Sequence, residues 1–387
     1  DVTKTMKSGF SLRNWTEKVE ALPSWVLLVV ASVLYIPLVF FGYGSDSDSL
    51  GVVRTGQYFI ATFDYLPSRL PGFFVHEFFV FFLNQLGGSV LTNLGSVCMS
   101  LVMLHSFRQV CRHYAVPHPT LLSSVLMVQP FFWVSAASTI DYLWALGFCF
   151  LGFNLLLHQR NLPAAISLAL SVGCRLSTVL PVGLFLCFLF LTSVPQRRWI
   201  LLTSFCAALM SIVFFLPPLD FLEWDFRRWL VLSTGDPALW TPVLRVGRFL
   251  YKNLMFFSLP VVLWACFLCL SALFHKQKPT LPRPDSLSWL SLAVILSVEI
   301  MFLRIPIEME YLLPLLPFAL ILIGKALPNH PGQLWLLLAL TLLANFLWIN
   351  PARSLTPNQT SEVIYGLWLE PGYLLQDIAT RLSLLKP

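Results

Sequence analysis

The chain has 387 residues, 57% of them hydrophobic and 11% charged, with 25 basic against 19 acidic side chains and a net charge of +6. Soluble domains carry roughly 25% charged residues, and a mean hydropathy of +0.75 excludes a soluble domain. The apolar runs are too long and continuous for the alternation of a membrane barrel, which leaves a helical, polytopic membrane protein.

Apolar runs predict spans near residues 24–42, 87–106, 119–138, 142–158, 199–217, 253–273, 286–303, 311–325 and 333–349. The stretch 162–193, LPAAISLALSVGCRLSTVLPVGLFLCFLFLTS, is too long for one helix and short for two. His158-Gln159-Arg160 precedes it and Gln196-Arg197-Arg198 follows, so both ends read as cytoplasmic under the positive-inside rule. A hairpin of two short helices is therefore predicted, with Arg175 at its turn. An arginine stranded in lipid would cost about 2.5–3.5 kcal/mol.

The expected fold is thus an all-α bundle of about eleven transmembrane helices, with the N-terminus cytoplasmic and the C-terminus on the outer face. Lys4, Lys7, Arg13, Lys18, Arg108, Arg112, Arg160, Arg197, Arg198, Lys276, Lys278, Arg283 and Lys325 then fall inside, and the outer side is left net acidic. The first apolar run is longer than the core of a cleaved signal peptide and reads as a signal anchor. Cys266 and Cys269 form a CxxC inside LWACFLCLS, without the further ligands that zinc would need; packing is the expected role.

The membrane domain is read as 1–349, with large outer segments at 43–86 and 218–252 and a short outer tail at 350–387. Cytoplasmic connections are short, so any chemistry belongs to the outer face. The first outer segment opens with GYGSDSDSLGVVRTG (Gly42–Gly56) and carries Asp46, Asp48, Arg54, Asp64, Arg69, His76 and Glu77. It ends in GFFVHEFFVFFLNQL, an interfacial helix leading into the second span. A Ser, Asp and Gly stretch is also ordinary turn composition. Arg69 in YLPSRLPG suits a turn cap, His76-Glu77 an interfacial polar pair, and Arg304 an ion pair with Glu308 or Glu310. Glu299 in LSVEIMFLR requires a cavity or a partner, and Asp141 fits a helix-start acid that complements the dipole.

An aspartate pair after the first span, followed by SRLPGFFVHEFFVFFLNQLGGSVLTNLGSVCMSLVMLHSF, resembles the start of the GT-C glycosyltransferases. This polytopic family includes the protein mannosyltransferases and the lipid A aminoarabinose transferase. QPFFWVSAASTIDYLWALGFCFLGFNLLL, ISLALSVGCRLSTVLPVGLFLCFLFL and FLRIPIEMEYLLPLLPFALILIG extend the resemblance over most of residues 24–325.

The resemblance implies an inverting sugar transfer from a polyprenyl-phosphate-linked donor to a protein, glycan or lipid acceptor, on the non-cytoplasmic face. In that reading Asp48 is the first choice for the base and Asp46 the second, with Arg175, Arg304 and Arg69 on the lipid phosphate and His76 and Glu77 auxiliary. Arginine suits the phosphate because its fork is bidentate and stays charged. No cofactor is required; two acids sharing a divalent metal stays open as a weak signal. Nothing in the sequence calls for a nucleic-acid partner. Two other classes remain in view, a carrier for lipid-linked sugars and a non-catalytic subunit of a larger membrane complex. The membrane is a bacterial inner membrane or, in a eukaryote, that of the endoplasmic reticulum. Asn358-Gln359-Thr360 is a sequon on the expected outer side.

Overall fold

The computed structural model describes residues 12–229, 241–274, 285–356 and 359–384. Helices dominate it. An amphipathic first helix, α1 (Leu12–Glu20), turns sharply into α2 (Ser24–Tyr35), which tightens into a 3₁₀ turn over Ile36–Phe40. In the first outer segment lies α3 (Ser47–Thr62), followed by the 40-residue α4 (Phe74–His113). Helical geometry breaks inside α4 at Gly87 and Gly88, where Gly88 takes a φ of 57° that a side chain would resist. The break separates the aromatic FVHEFFVFF half from the apolar half that follows.

The next run, α5 (Pro119–Val128) and α6 (Pro130–Ala136), bends by 72° at Gln129. Pro130 cannot donate to the ladder, so the carbonyls ahead of it lose their helical partners. Distant side chains take over. The Tyr35 hydroxyl donates to the Met127 carbonyl at 2.8 Å, and Asn345 Nδ2 donates to that of Val128 at 2.7 Å. Gln129 accepts from the Phe132 amide at 2.8 Å and donates to the Phe256 carbonyl at 3.3 Å.

After α7 (Tyr142–Leu157), the doubtful stretch 162–193 proves to be two helices, α8 (Asn161–Cys174) and α9 (Val179–Thr192), meeting at Arg175. Arg175 itself is extended, with φ −158° and ψ 114°. Then come α10 (Arg197–Phe214), α11 (Leu216–Phe221), α12 (Pro242–Phe257) and α13 (Leu259–Phe274), the last two meeting at Ser258 with a 93° bend. The membrane domain closes with α14 (Ser286–Arg304), a 3₁₀ turn at Met309–Leu315, α15 (Leu316–Ala326) and α16 (Pro331–Leu343).

By length and composition, four helices among the described residues are able to cross a membrane, and seven if each bent pair is one span. The sequence predicted about eleven. The difference lies in Tyr142–Leu157, Asn161–Cys174, Leu176–Thr192 and Pro331–Leu343, which are apolar but shorter than the roughly 20 residues of an ordinary span.

The expected tail at 350–387 is more than a tail. Strands β1 (Leu347–Thr356) and β2 (Gln359–Pro371) pair antiparallel, with Leu347 opposite Pro371 and Thr356 opposite Gln359, and α17 (Tyr373–Leu384) follows. Gly372 joins the hairpin to α17 where a Cβ would lie 2.2 Å from the Asn345 carbonyl carbon. Gly372→Ala is therefore expected to destabilise the fold by about 1–3 kcal/mol, measurable as a lower unfolding midpoint of the detergent-solubilised protein.

A single large core runs through α2, α4–α9 and α14–α16, with Tyr35, Phe107, Phe132 and Phe150 among its fully buried side chains. The segment expected as the second outer one packs on the first: Trp229 Nε1 donates to the Pro71 carbonyl at 3.0 Å, and Pro218 lies against Gly72. The part of that segment at 230–240, the cytoplasmic candidates Lys4, Lys7, Lys276, Lys278 and Arg283, and Asn358 of the sequon lie outside the described residues.

Candidate functional site

Four breaks between helices bring charge together at one place. Each follows from local sequence. Asp46 is the N-cap of α3, its carboxylate accepting from the Asp48 amide at 2.9 Å, and Asp48 then sits in the first turn, where the helix dipole favours an acid. Arg69 follows in the Pro-bracketed loop before α4. Asp141 stands at the head of α7, and Arg175 at the break between α8 and α9.

Four of the side chains form a chain of charge, with Asp46 beside it. Arg69 bridges Asp48 and Asp141, and Arg175 Nη1 donates to the other Asp141 oxygen at 2.7 Å. Asp141 is 1% exposed and Arg175 8%, so these are buried charges that survive by pairing. Burial alone would raise the Asp141 carboxyl, but Arg175 and Arg69 outweigh it and hold it down at about 2. Burial is the largest single effect on the two guanidiniums and opposes their charge, but Asp141 and the neighbouring acidic groups together outweigh it, leaving both above the ordinary arginine value. Asp46 differs. Burial raises its carboxyl above the usual range and Asp141 adds to that, against the opposing pull of Arg69 and Arg175.

Aromatic rings surround the arginines. The Arg175 guanidinium carbon lies 3.9 Å from the centre of the Tyr142 ring and 5.0 Å from that of Tyr311, and Arg69 lies 4.5 Å from Phe73. Such stacking over a ring face stabilises a cation further. Tyr142 in turn donates to Glu308 at 2.6 Å, and Tyr373 donates to Glu310 at 2.6 Å. The result is a charged cluster with a half-buried acid at Asp46, two fixed cations, and two further acids nearby at Glu308 and Glu310. A base facing a pair of guanidiniums is an arrangement able to move a proton at one end and stabilise an oxyanion at the other.

The residues named from sequence are distributed unevenly about this cluster. Asp46, Asp48, Arg69 and Arg175 meet in it. Glu77 is buried beside it but bound: it accepts from the Ser68 amide at 2.8 Å, from the Ser68 hydroxyl at 2.5 Å and from Tyr65. His76 is fully buried with its ring edge-on to Trp144, 5.7 Å between centres. Arg304 is elsewhere. It is exposed at the end of α14, lining an open groove with Arg245, Val246 and Ile300, and it does not join Arg175. Its expected partners are taken, Glu308 by Tyr142 and Glu310 by Tyr373. Glu299 finds its partner in Asn253 Nδ2 at 3.1 Å, and Cys266 and Cys269 are exposed free thiols on α13.

Asp141 is the residue that sequence reasoning undervalued as a dipole-complementing acid. A signal for it existed: an arginine at the turn of an apolar hairpin demands a nearby anion, and the neighbouring helix begins with one. Glu308, Glu310, Tyr142, Tyr311 and Tyr373 carried no such signal. Among the described residues no three His, Cys, Asp or Glu side chains gather as a metal site; Asp46 and Asp48 diverge, one onto a backbone amide and the other onto Arg69. Compared with models of protein families, with curated proteins and with solved structures, the chain matches none.

Proposed function

We propose that this chain is a membrane glycosyltransferase of the GT-C kind, moving a sugar from a polyprenyl-phosphate-linked donor to an acceptor hydroxyl, with inversion, on the non-cytoplasmic face. The convergence of Asp46, Asp48, Arg69, Asp141 and Arg175 from four separate segments carries this reading. The eleven spans of the proposed bundle are the four long helices, the three bent pairs and the four shorter apolar helices.

In this mechanism Asp46 is the base. Asp48, the first choice from sequence, already neutralises Arg69, whereas Asp46 stands outside that ion pair and has its basicity raised by burial. Arg69 and Arg175 receive the charge that develops on the departing lipid phosphate, and Asp141 and Asp48 hold them in place beforehand. Glu308, Glu310, Tyr142 and Tyr311 form the wall against which the sugar hydroxyls bind.

The test is reconstitution of the purified protein in nanodiscs with a polyprenyl-phosphate sugar, following release of the free carrier phosphate. Release that requires the native chain supports the reading, and its absence across donors removes it. The pH profile adds a second measurement. A base works when deprotonated, so transfer is expected to fall as pH drops, with an acid limb above the ordinary aspartate value near 3.9. Asp46→Asn is expected to abolish that limb.

A second reading is favoured by one observation: Arg69, Asp141 and Arg175 satisfy one another as a structural ion network would. On that reading the chain is a non-catalytic membrane subunit, and Asp46→Asn leaves function unchanged.

A further inference from the structure

The C-terminal helix α17 reaches the charged cluster from the far end of the chain, and three of its side chains end on three segments that carry site acids. Tyr373 holds Glu310 at 2.6 Å. Asp377 accepts from the hydroxyl of Ser45, the residue just ahead of Asp46, at 2.5 Å across 332 residues of sequence. Arg381 donates to the Ala137 carbonyl at 2.8 Å and to the Ser138 hydroxyl at 2.5 Å, on the turn that leads into Asp141.

Asp377 and Arg381 also pair with each other at 2.7 Å, one helical turn apart. Their side chains are 1% and 0% exposed. An apolar helix face would have docked α17 at lower cost, since burying an ion pair costs desolvation that the pair seldom recovers. Leu374 and Ile378 already supply an apolar anchor on the same helix. The charged pair therefore does something that packing alone does not: it ties α17 to two adjoining polar turns, 43–46 and 137–141, which meet where the Thr139 amide donates to the Tyr43 carbonyl at 2.7 Å.

We infer that Asp377, backed by Arg381, is a positioning residue that sets where Asp46 stands relative to Asp141 and the two arginines. The Ser45 tether holds one of the two adjoining turns, and the Arg381 bonds hold the other. The catalytic consequence rests on the glycosyltransferase reading; the positional claim does not. With the tether cut, the Ser45–Asp46 turn opens toward solvent, and Asp46 loses the burial that raises its basicity.

The test reads position first. Asp46→Cys is placed in a chain whose eight native cysteines are replaced by serine or alanine, and its rate of reaction with a charged, membrane-impermeant maleimide is measured. Adding Asp377→Asn is expected to speed labelling by roughly three- to tenfold, the scale of a local opening. Ser45→Ala, which leaves the Asp377–Arg381 pair intact, is expected to act in the same direction without lowering the unfolding midpoint. It keeps the test decisive if Asp377→Asn fails to fold. Equal labelling rates with Ser45→Ala and without it overturn the proposal.

Transfer is the second arm, measured in the chain with native Asp46. Ser45→Ala is expected to move the acid limb of the pH profile downward, a shift that a purely structural loss of active protein would not produce; an unmoved limb overturns the proposal. A native chain that transfers no sugar defeats the glycosyltransferase reading, and the labelling rates then decide the positional claim alone.

Discussion

If the proposed sugar transfer is the activity, Asp46→Asn is expected to lower it by about 10²- to 10⁴-fold, the usual contribution of a positioned base. Asparagine keeps the N-cap, because its side-chain oxygen still accepts from the Asp48 amide, so α3 and the stability of the protein should change little. Binding of the donor lipid should persist, since the phosphate is assigned to Arg69 and Arg175. The single-turnover rate and donor affinity, measured on the same preparation, separate the two effects. A loss of affinity with the rate preserved would move Asp46 from proton transfer to binding. Asp48→Asn is expected to act differently: it frees Arg69 from one of its two carboxylates and should weaken donor binding and the rate together.

The largest loss of stability should come from Asp141→Leu. That change leaves Arg175, 8% exposed, and Arg69 without their shared counter-ion, and removing one partner of a buried pair costs about 3–5 kcal/mol. The unfolding midpoint of the solubilised protein measures it. Arg175→Met in the same chain should restore part of the loss, because it removes the stranded charge along with its partner. The pH dependence has a definite sign. Asp141 is held at about 2 in the folded protein against an ordinary value near 3.9, so its stabilisation is complete above the ordinary value and is lost as pH falls toward 2. A native chain whose acid sensitivity matches that of the Asp141→Leu, Arg175→Met pair would show that Asp141 contributes nothing to it.

What could be read in the sequence was whatever depends on local pattern. The break at Arg175 was legible because basic flanks fixed both ends of the 162–193 stretch on one side, and a charge in an apolar run has few tolerable places. The head of α3 could have been read from the Ser-Asp-Ser-Asp run, since N-caps draw on those residue types, but the same composition suits an ordinary turn. The pairing of Asp141 with two arginines was not, because it joins residues 72 and 34 positions apart, and sequence spacing carries no trace of such contacts. The expected meeting of Arg175 and Arg304 is missing for a related reason: both stand at helix ends, but that does not place two residues on the same side of a bundle, and Arg304 lines a groove that Arg175 does not share. The role of residues 350–387 was hidden for the opposite cause. Asp377 and Arg381 read as ordinary surface charges at helical spacing, and nothing in LQDIATRLS reveals that both are buried.

The break at Gln129 also bears on the order in which the protein is made. Tyr35 is already present when that segment leaves the ribosome, but Phe256 arrives 127 residues after Gln129, and Asn345 arrives 217 residues after Val128. Until then the Val128 carbonyl has no side-chain partner, and lipid offers none. The α5–α6 segment is therefore expected to complete its insertion late, sheltered among neighbouring helices or an insertion factor, and to settle only when α16 and the residues after it emerge. Nascent chains halted before Asn345 should expose the 126–130 region to proteolysis, and chains extended past it should protect that region.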